Sequence, residues 1–143
     1  MKENILISTG GSGGHVVPAQ TLYEHLKDEF NVFLTSDLRG SKFFENNKNF
    51  KIINVLPLTP QNIFLLPWRV AIFFFSILKS FTYLKSKKIK TIISTGGYMS
   101  LPICISAKIL NLKVILFEPN LVLGRSNLFF LNYCSSILCY SEE

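Results

Sequence analysis

Apolar and polar positions along this chain fall into blocks. Six short runs are almost wholly apolar: NILIS (4–8), NVFLTS (31–36), KIINVLPL (51–58), KTIIST (90–95), KVILFE (113–118) and SILCYS (136–141). Runs of that length and content read as strands buried on both faces. Between them lie longer stretches with apolar residues three or four apart, the spacing of helices. The pattern predicts helices over 17–30, 41–47, about 66–86, 101–111 and 124–134. In the first of these Ala19, Leu22, Leu26 and Phe30 share a face, and Pro18 suits a first turn. Alternation of strand and helix predicts an α/β fold, a parallel sheet with helices on both faces, in one domain spanning 1–143. Right-handed crossovers then put every strand-to-helix loop on the carboxyl edge of the sheet, where ligands bind.

Three of those loops carry chemistry. The stretch TGGSGGHVVPAQ (9–20) is a glycine-rich turn opening a helix. Such a turn offers bare N–H groups and the positive end of a helix dipole, which suits a phosphate or diphosphate. No Lys-Ser or Lys-Thr closes it, so it is not a P-loop. Gly11 and Gly13 fit the first two glycines of the dinucleotide pattern, but Val16 fills the third slot. Asp37, after the second strand, stands where a ribose-binding acid would, which keeps a nucleotide-cofactor oxidoreductase as a third reading. His15 follows Gly14 at the helix start, where the dipole favours a neutral imidazole able to accept a proton. STGGYMSLP (94–102) repeats the recipe, and its STGG duplicates residues 8–11, too short a match to read as a duplication. FEPNLVLGRSN (117–127) places Glu118, Asn120 and Arg125 at a strand's carboxyl end. That set suits sugar or peptide hydroxyls, unless Glu118 and Arg125 simply pair at the surface.

Composition narrows the partners. With 48% hydrophobic and 17% charged residues in 143, the chain can bury a real core. A net charge of +6 favours anionic partners. Cys104, Cys134 and Cys139 follow no metal-ligand spacing and read as buried reduced thiols, so neither metal nor cofactor is expected. The N-terminus does not read as a signal peptide, because Ile5–Ile7 is too short an apolar run. No basic helix with interleaved readout residues points to nucleic acid. The most hydrophobic segment, 63–90, is cut by Pro67 and Arg69 and falls short of the roughly 20 apolar residues a membrane span needs. It is also more apolar than one buried stripe requires. Trp68, Phe73, Phe74 and Lys79 are therefore expected to face an anionic membrane surface.

The three loops together resemble one family, the MurG-like glycosyltransferases of peptidoglycan synthesis (family 28). TGGSGGHVVPAQ is similar to that family's GGTGGHxxPA loop, STGGYMSLP to its GGYxSGP loop, and LFEPNLVLGRSN to its HEQNxxxGxxN segment. The order and spacing agree, and the resemblance covers essentially the whole chain. It implies the amino-terminal, Rossmann-like half of a two-domain GT-B enzyme. That enzyme inverts configuration as it moves N-acetylglucosamine from UDP-N-acetylglucosamine to a lipid-linked muramyl pentapeptide. The implied setting is peripheral, on the cytoplasmic face of the bacterial inner membrane. His15 is the first candidate base and Glu118 the second, or its partner. Gly10, Gly11, Ser12, Gly13 and Gly14, with Gly96, Gly97 and Tyr98, would cradle the acceptor's diphosphate. Tyr98 and Asn120 would orient the acceptor, and Asn127 belongs to the same set. The UDP-sugar would bind a carboxyl-terminal domain or partner chain not present here, so this chain alone is expected not to transfer sugar. The alternative is a non-catalytic membrane-anchoring subunit of a split two-chain enzyme. Departures from the family pattern are Ser12 for Thr, Leu101 for Gly, and Phe117 and Pro119 for His and Gln.

Overall fold

The computed structural model describes residues 2–44, 47–53, 55, 63–120 and 122–139. Six strands form one sheet: β1 (Asn4–Ser8), β2 (Asn31–Ser36), β3 (Phe50–Ile52), β4 (Thr91–Ser94), β5 (Lys113–Glu118) and β6 (Ser136–Cys139). All neighbouring pairs are parallel, in the order β3-β2-β1-β4-β5-β6. The helices are α1 (Gly13–Leu26), α2 (Leu38–Ser41), α3 (Leu66–Ser86), α4 (Ser100–Ile109) and α5 (Arg125–Phe130). Short 3₁₀ turns, Ile63–Leu65 and Leu131–Tyr133, lead into α3 and out of α5.

Successive strand residues point to opposite faces, and each face has its own core. Ile5, Ile7, Val32, Leu34 and Ile93 pack against Val16 and Ala19 of α1. Leu6, Ile92, Val114 and Leu116 pack against Leu84 of α3, Ile103, Cys104 and Ala107 of α4, and Phe130 of α5. Helices on both faces of a parallel sheet are thus observed. Chain direction across the sheet reverses between β1 and β4, the place where a doubly wound sheet opens a crevice.

Several boundaries differ from expectation. The first helix begins at Gly13, not Val17, so Pro18 lies inside it and His15 lies in its first turn. The loop glycines are already helical, and Pro18 forfeits only the bond to the Gly14 carbonyl. The short second helix sits at Leu38–Ser41, before the expected 41–47, because Asp37 caps it: the Gly40 N–H donates to Asp Oδ1 at 3.0 Å. Residues 45 and 46, and 54 and 56–58 of the expected third strand, lie outside the described residues. Of the thiols, all free, only Cys104 is buried, while Cys134 is half-buried and Cys139 exposed.

Helix α3 is inverted relative to a usual surface helix. Its buried positions are Ser76, Ser80 and Leu84. Ser76 and Ser80 donate their hydroxyls to the carbonyls of Ile72 and Ser76, at 2.9 and 2.7 Å, so neither of these two buried hydroxyls is orphaned. Small side chains let α4 approach closely, and Ser106 Oγ crosses over to the Ile77 carbonyl at 2.9 Å. The large side chains point outward: Phe64, Trp68, Phe74, Phe75 and Leu78 are all more than half exposed. Lys79 lies on the same side, its Nζ 4.7 Å from the Phe75 ring centre. Phe73 departs from the expected membrane-facing set: it is half-buried against the core, its ring centre 6.1 Å from that of Tyr98. Among the described residues no helix is long and apolar enough to cross a membrane.

Candidate active site at the β1–β4 crevice

The two STGG segments leave the sheet side by side, because β1 and β4 pair with Ser8 opposite Ser94. Their glycine pairs consequently meet. A Cβ built on Gly97 would lie 2.8 Å from the Gly10 Cα, closer than real contacts allow. Gly96 and Gly97 also have φ of +88° and +83°, the left-handed region that side chains avoid. Both requirements demand glycine.

His15 bridges the two loops. Its Nδ1 lies 2.7 Å from the Thr95 carbonyl oxygen. A carbonyl can only accept, so Nδ1 carries the proton. In the neutral ring the basic lone pair is therefore on Nε2. Thr95 Oγ1 returns the contact, donating to the His15 carbonyl at 3.2 Å. Thr95 was not among the expected site residues. The repeated STGG was the available signal, since it gives Thr95 the place in the second loop that Thr9 has in the first.

The first turn of α1 is open. Ser12, Gly13 and Gly14 are exposed, and Cβ atoms at Gly13 and Gly14 would meet nothing within 4 Å. The helix begins with no side-chain cap and no acidic residue in its first turn. The N–H groups of Gly13 and Gly14 and the positive dipole end thus face free space beside His15, while the His15 and Val16 N–H groups donate to the Ser12 carbonyl. Gly11 is different: a Cβ there would lie 1.9 Å from Asp37 Oδ1. Asp37 is committed to this packing, to capping α2, and to Arg39, whose Nε donates to its Oδ2 at 2.8 Å. It is not poised for a ribose.

The third loop is organised around Glu118, which is 1% exposed. Oε1 accepts from Asn120 Nδ2 at 2.8 Å and from the Asn120 N–H at 3.2 Å. Oε2 accepts from the Gly124 N–H at 2.8 Å and from Asn127 Nδ2 at 3.0 Å. Burial pushes this carboxyl's pKa up, but the donors of Gly124, Asn120 and Asn127 outweigh it and hold it below the ordinary carboxylate range. No ion pair joins Glu118 to Arg125 among the described residues. Nor is Glu118 the partner of the His15 Nδ1, since that place belongs to Thr95.

Asn127 ties this loop to the crevice. Its Nδ2 and the His15 Cε1 both lie 3.3 Å from where a Gly96 Cβ would be, so Gly96 is sandwiched between amide and imidazole. Asn127 is itself buried, supporting the loop from beneath, whereas Asn120 is exposed at the rim. Tyr98 departs from its expected place at a ligand. Its ring packs into the core beside Phe73 and its hydroxyl is buried, because the positive φ of Gly96 and Gly97 turns the chain inward there. Leu101, where the resembled pattern has Gly, also packs on the core rather than crowding the loop.

Comparison with known proteins shows the family and the fold. Residues 5–139 match the model of the glycosyltransferase family 28 N-terminal domain. The chain belongs to this family. A Pelagibacter ubique protein named UDP-N-acetylglucosamine--N-acetylmuramyl-(pentapeptide) pyrophosphoryl-undecaprenol N-acetylglucosamine transferase is 56% identical over 100% of the chain. A Prochlorococcus marinus protein of the same name is 33% identical over 99% of it. The chain spans 40% and 39% of the length of these relatives. Among solved structures, Acinetobacter baumannii MurG superposes with a TM-score of 0.83 at 19% identity, over 96% of this chain and 41% of that one. The UDP-GlcNAc 2-epimerase of Methanocaldococcus jannaschii follows at 0.68 and 13%, over 99% of this chain and 40% of that one. At such identities the structural likeness speaks for the shared fold. Within the family 28 domain, the crevice of His15 and the glycine pairs occupies the sheet's switch point.

Proposed function

We propose that this chain is the acceptor-binding half of an inverting GT-B glycosyltransferase. The reaction moves N-acetylglucosamine from UDP-N-acetylglucosamine to a lipid-linked muramyl pentapeptide, on the cytoplasmic face of the bacterial inner membrane. The observation that carries the reading is the convergence of two glycine loops on one histidine with a defined free nitrogen. In this mechanism the acceptor hydroxyl oxygen attacks the anomeric carbon and the bond to the UDP oxygen breaks. The hydroxyl proton passes to His15 Nε2. The open first turn of α1 takes the acceptor's diphosphate, where its N–H groups and dipole offset the charge. Glu118, saturated by four N–H donors, is a poor proton acceptor; its role is to hold the third loop and, through Asn127, the floor under Gly96. The donor sugar binds a part of the protein outside this chain.

The exposed aromatic face of α3 supports peripheral docking, and charge supports an anionic surface. Residues 46–117 hold ten of the fifteen Lys and Arg and none of the nine Asp and Glu. The longer relatives carry the matched region and the remainder on one chain, which favours a single enzyme over a separate anchoring subunit.

The test is His15→Gln in the transferase carrying its donor half, assayed with lipid-linked acceptor. Turnover is expected to fall about 100-fold or more, the usual contribution of a general base. A near-normal rate refutes the role of His15 as the base.

A further inference from the structure

The first glycine loop has a second neighbour besides the β4 loop. Strands β1 and β2 pair with Ser8 opposite Thr35, and the Thr9 N–H donates to the Thr35 carbonyl at 3.0 Å. Residues 9–12 and 36–40 therefore leave the sheet side by side, as the two STGG segments do on the other flank. The approach is close. A Cβ on Gly11 would lie 2.8 Å from the Arg39 Cβ, and a Cβ on Gly40 would lie 3.4 Å from the Gly11 Cα. Gly11 directly precedes Ser12, the N-cap of α1. Arg39 thus stands at the rim of the open first turn, on the side away from the second glycine loop.

Its guanidinium is held in place but not used up. Nε donates to Asp37 Oδ2 at 2.8 Å, Nη2 lies 2.8 Å from the same oxygen, and Asp37 Oδ1 accepts from the Gly40 N–H at 3.0 Å. A guanidinium has five N–H groups, so three are left without a partner among the described residues. The Asp37 side chain is 10% exposed and that of Arg39 is 76% exposed. A ligand arriving at the crevice therefore meets the cation, with the carboxylate behind it. Holding the arginine beforehand reduces the entropy lost when it grips a ligand. Positive side chains are otherwise scarce here, since residues 9–20 and 94–102 contain no Lys or Arg.

We propose that Arg39 is a further binding residue for this reaction, its outward N–H groups contacting the acceptor diphosphate on the first glycine loop. The inference rests on the proposed function, which seats that diphosphate at the first turn of α1, and adds the side chain that meets its charge. A helix end offers only about half an elementary charge, less than a diphosphate carries. An arginine fork can meet two phosphoryl oxygens at once, whereas a lysine acts as a point charge. The UDP part of the donor shares this chemistry, and the experiment separates the two sources.

The experiment is steady-state kinetics of the transferase carrying its donor half, with lipid-linked acceptor and UDP-N-acetylglucosamine varied in turn. Arg39→Gln is expected to raise the KM for the acceptor about tenfold, the usual weight of one hydrogen bond between charged groups. It should leave kcat and the donor KM within about twofold, as loss of binding shared by ground and transition states does. Arg39→Lys keeps the charge but loses the fork, and should bring the rise down to about threefold. Lys42→Gln removes an equal charge from the exposed end of α2 and should move neither KM by more than about twofold. Thermal melting of each variant confirms that it folds. An unchanged acceptor KM in Arg39→Gln overturns the contact, and so does an equal rise in Lys42→Gln, which would mean diffuse attraction. A rise in the donor KM alone assigns the guanidinium to UDP and overturns the acceptor contact. A fall in kcat with both KM values unchanged makes Arg39 a support of the loop and overturns its binding role. An unsubstituted transferase inactive on the lipid-linked acceptor overturns the proposed function and this contact together, whereas the other failures leave that function standing.

Discussion

Replacing Gly97 by Ala tests the claim that two glycine loops are locked together at the crevice. The new Cβ would face the Gly10 Cα at 2.8 Å and the Gly10 nitrogen at 3.2 Å, both backbone atoms that cannot swing aside. The residue would also hold φ near +83°. Left-handed backbone costs an L-residue about 1–2 kcal/mol. Forcing a methyl into a filled space adds about 1–2 kcal/mol. The sum, about 2–4 kcal/mol, lowers Tm by about 8–16 °C at roughly 4 °C per kcal/mol for a chain of this size. Gly13→Ala is the matched control, because its Cβ meets nothing within 4 Å and it lies in the first turn of α1. Helix propensity favours Ala over Gly by up to about 1 kcal/mol, so that variant should melt at the same temperature or slightly higher. Calorimetry of the two variants decides. A Gly97→Ala protein melting within about 2 °C of the unsubstituted chain would refute the close approach.

Three further outcomes follow from the site and the helix. Glu118→Gln sets an NH₂ group against at least one N–H donor and should cost about 1–3 kcal/mol, read as a fall in Tm. Because the Glu118 pKa is lowered in the fold, its stabilisation is complete above the unfolded value near 4.3 and is lost as pH falls through the folded value. The Glu118→Gln deficit should accordingly shrink in acid; a deficit unchanged down to about pH 2 would contradict the hydrogen-bond account. Ser80→Leu, on the buried side of α3, should destabilise by about 1–3 kcal/mol through overpacking against α4, whereas Trp68→Ser on the outer side should leave Tm unchanged and reduce vesicle binding. Equal effects of those two changes on Tm would mean that the faces of α3 are assigned the wrong way round.

Much of the fold was legible because buried parallel strands announce themselves as unbroken apolar runs. Five of six strand positions agree with the blocks to within a residue or two, whereas β3 ends at Ile52, leaving Ile53 and Val55 of the expected third run outside it. The crevice was legible as well, since the loops carrying His15, Gly96, Gly97 and Glu118 all lie at strand carboxyl ends. What escaped was of a different kind. A helix apolar on nearly every side gives no periodic cue, so in the sequence Phe73 groups with its outward neighbours. The cue lay in Ser76 and Ser80, three and seven residues on, which mark the inner face because their hydroxyls are satisfied within the helix. Thr95 escaped because it acts on His15 through its carbonyl, an atom every residue has. Glu118 read as reactive because its four donors come from positions two, six and nine residues later. Only the folded loop brings them together.

In the mechanism proposed above, the contact between His15 and Thr95 has a consequence for repeated turnover. Nδ1 donates the same hydrogen bond whether the ring is neutral or protonated, because only Nε2 gains and releases the proton. The imidazole that spans the two loops therefore does not have to let go of either when it is charged. On that mechanism the crevice keeps one shape through both protonation states, and the next acceptor would meet a site that needs no resetting.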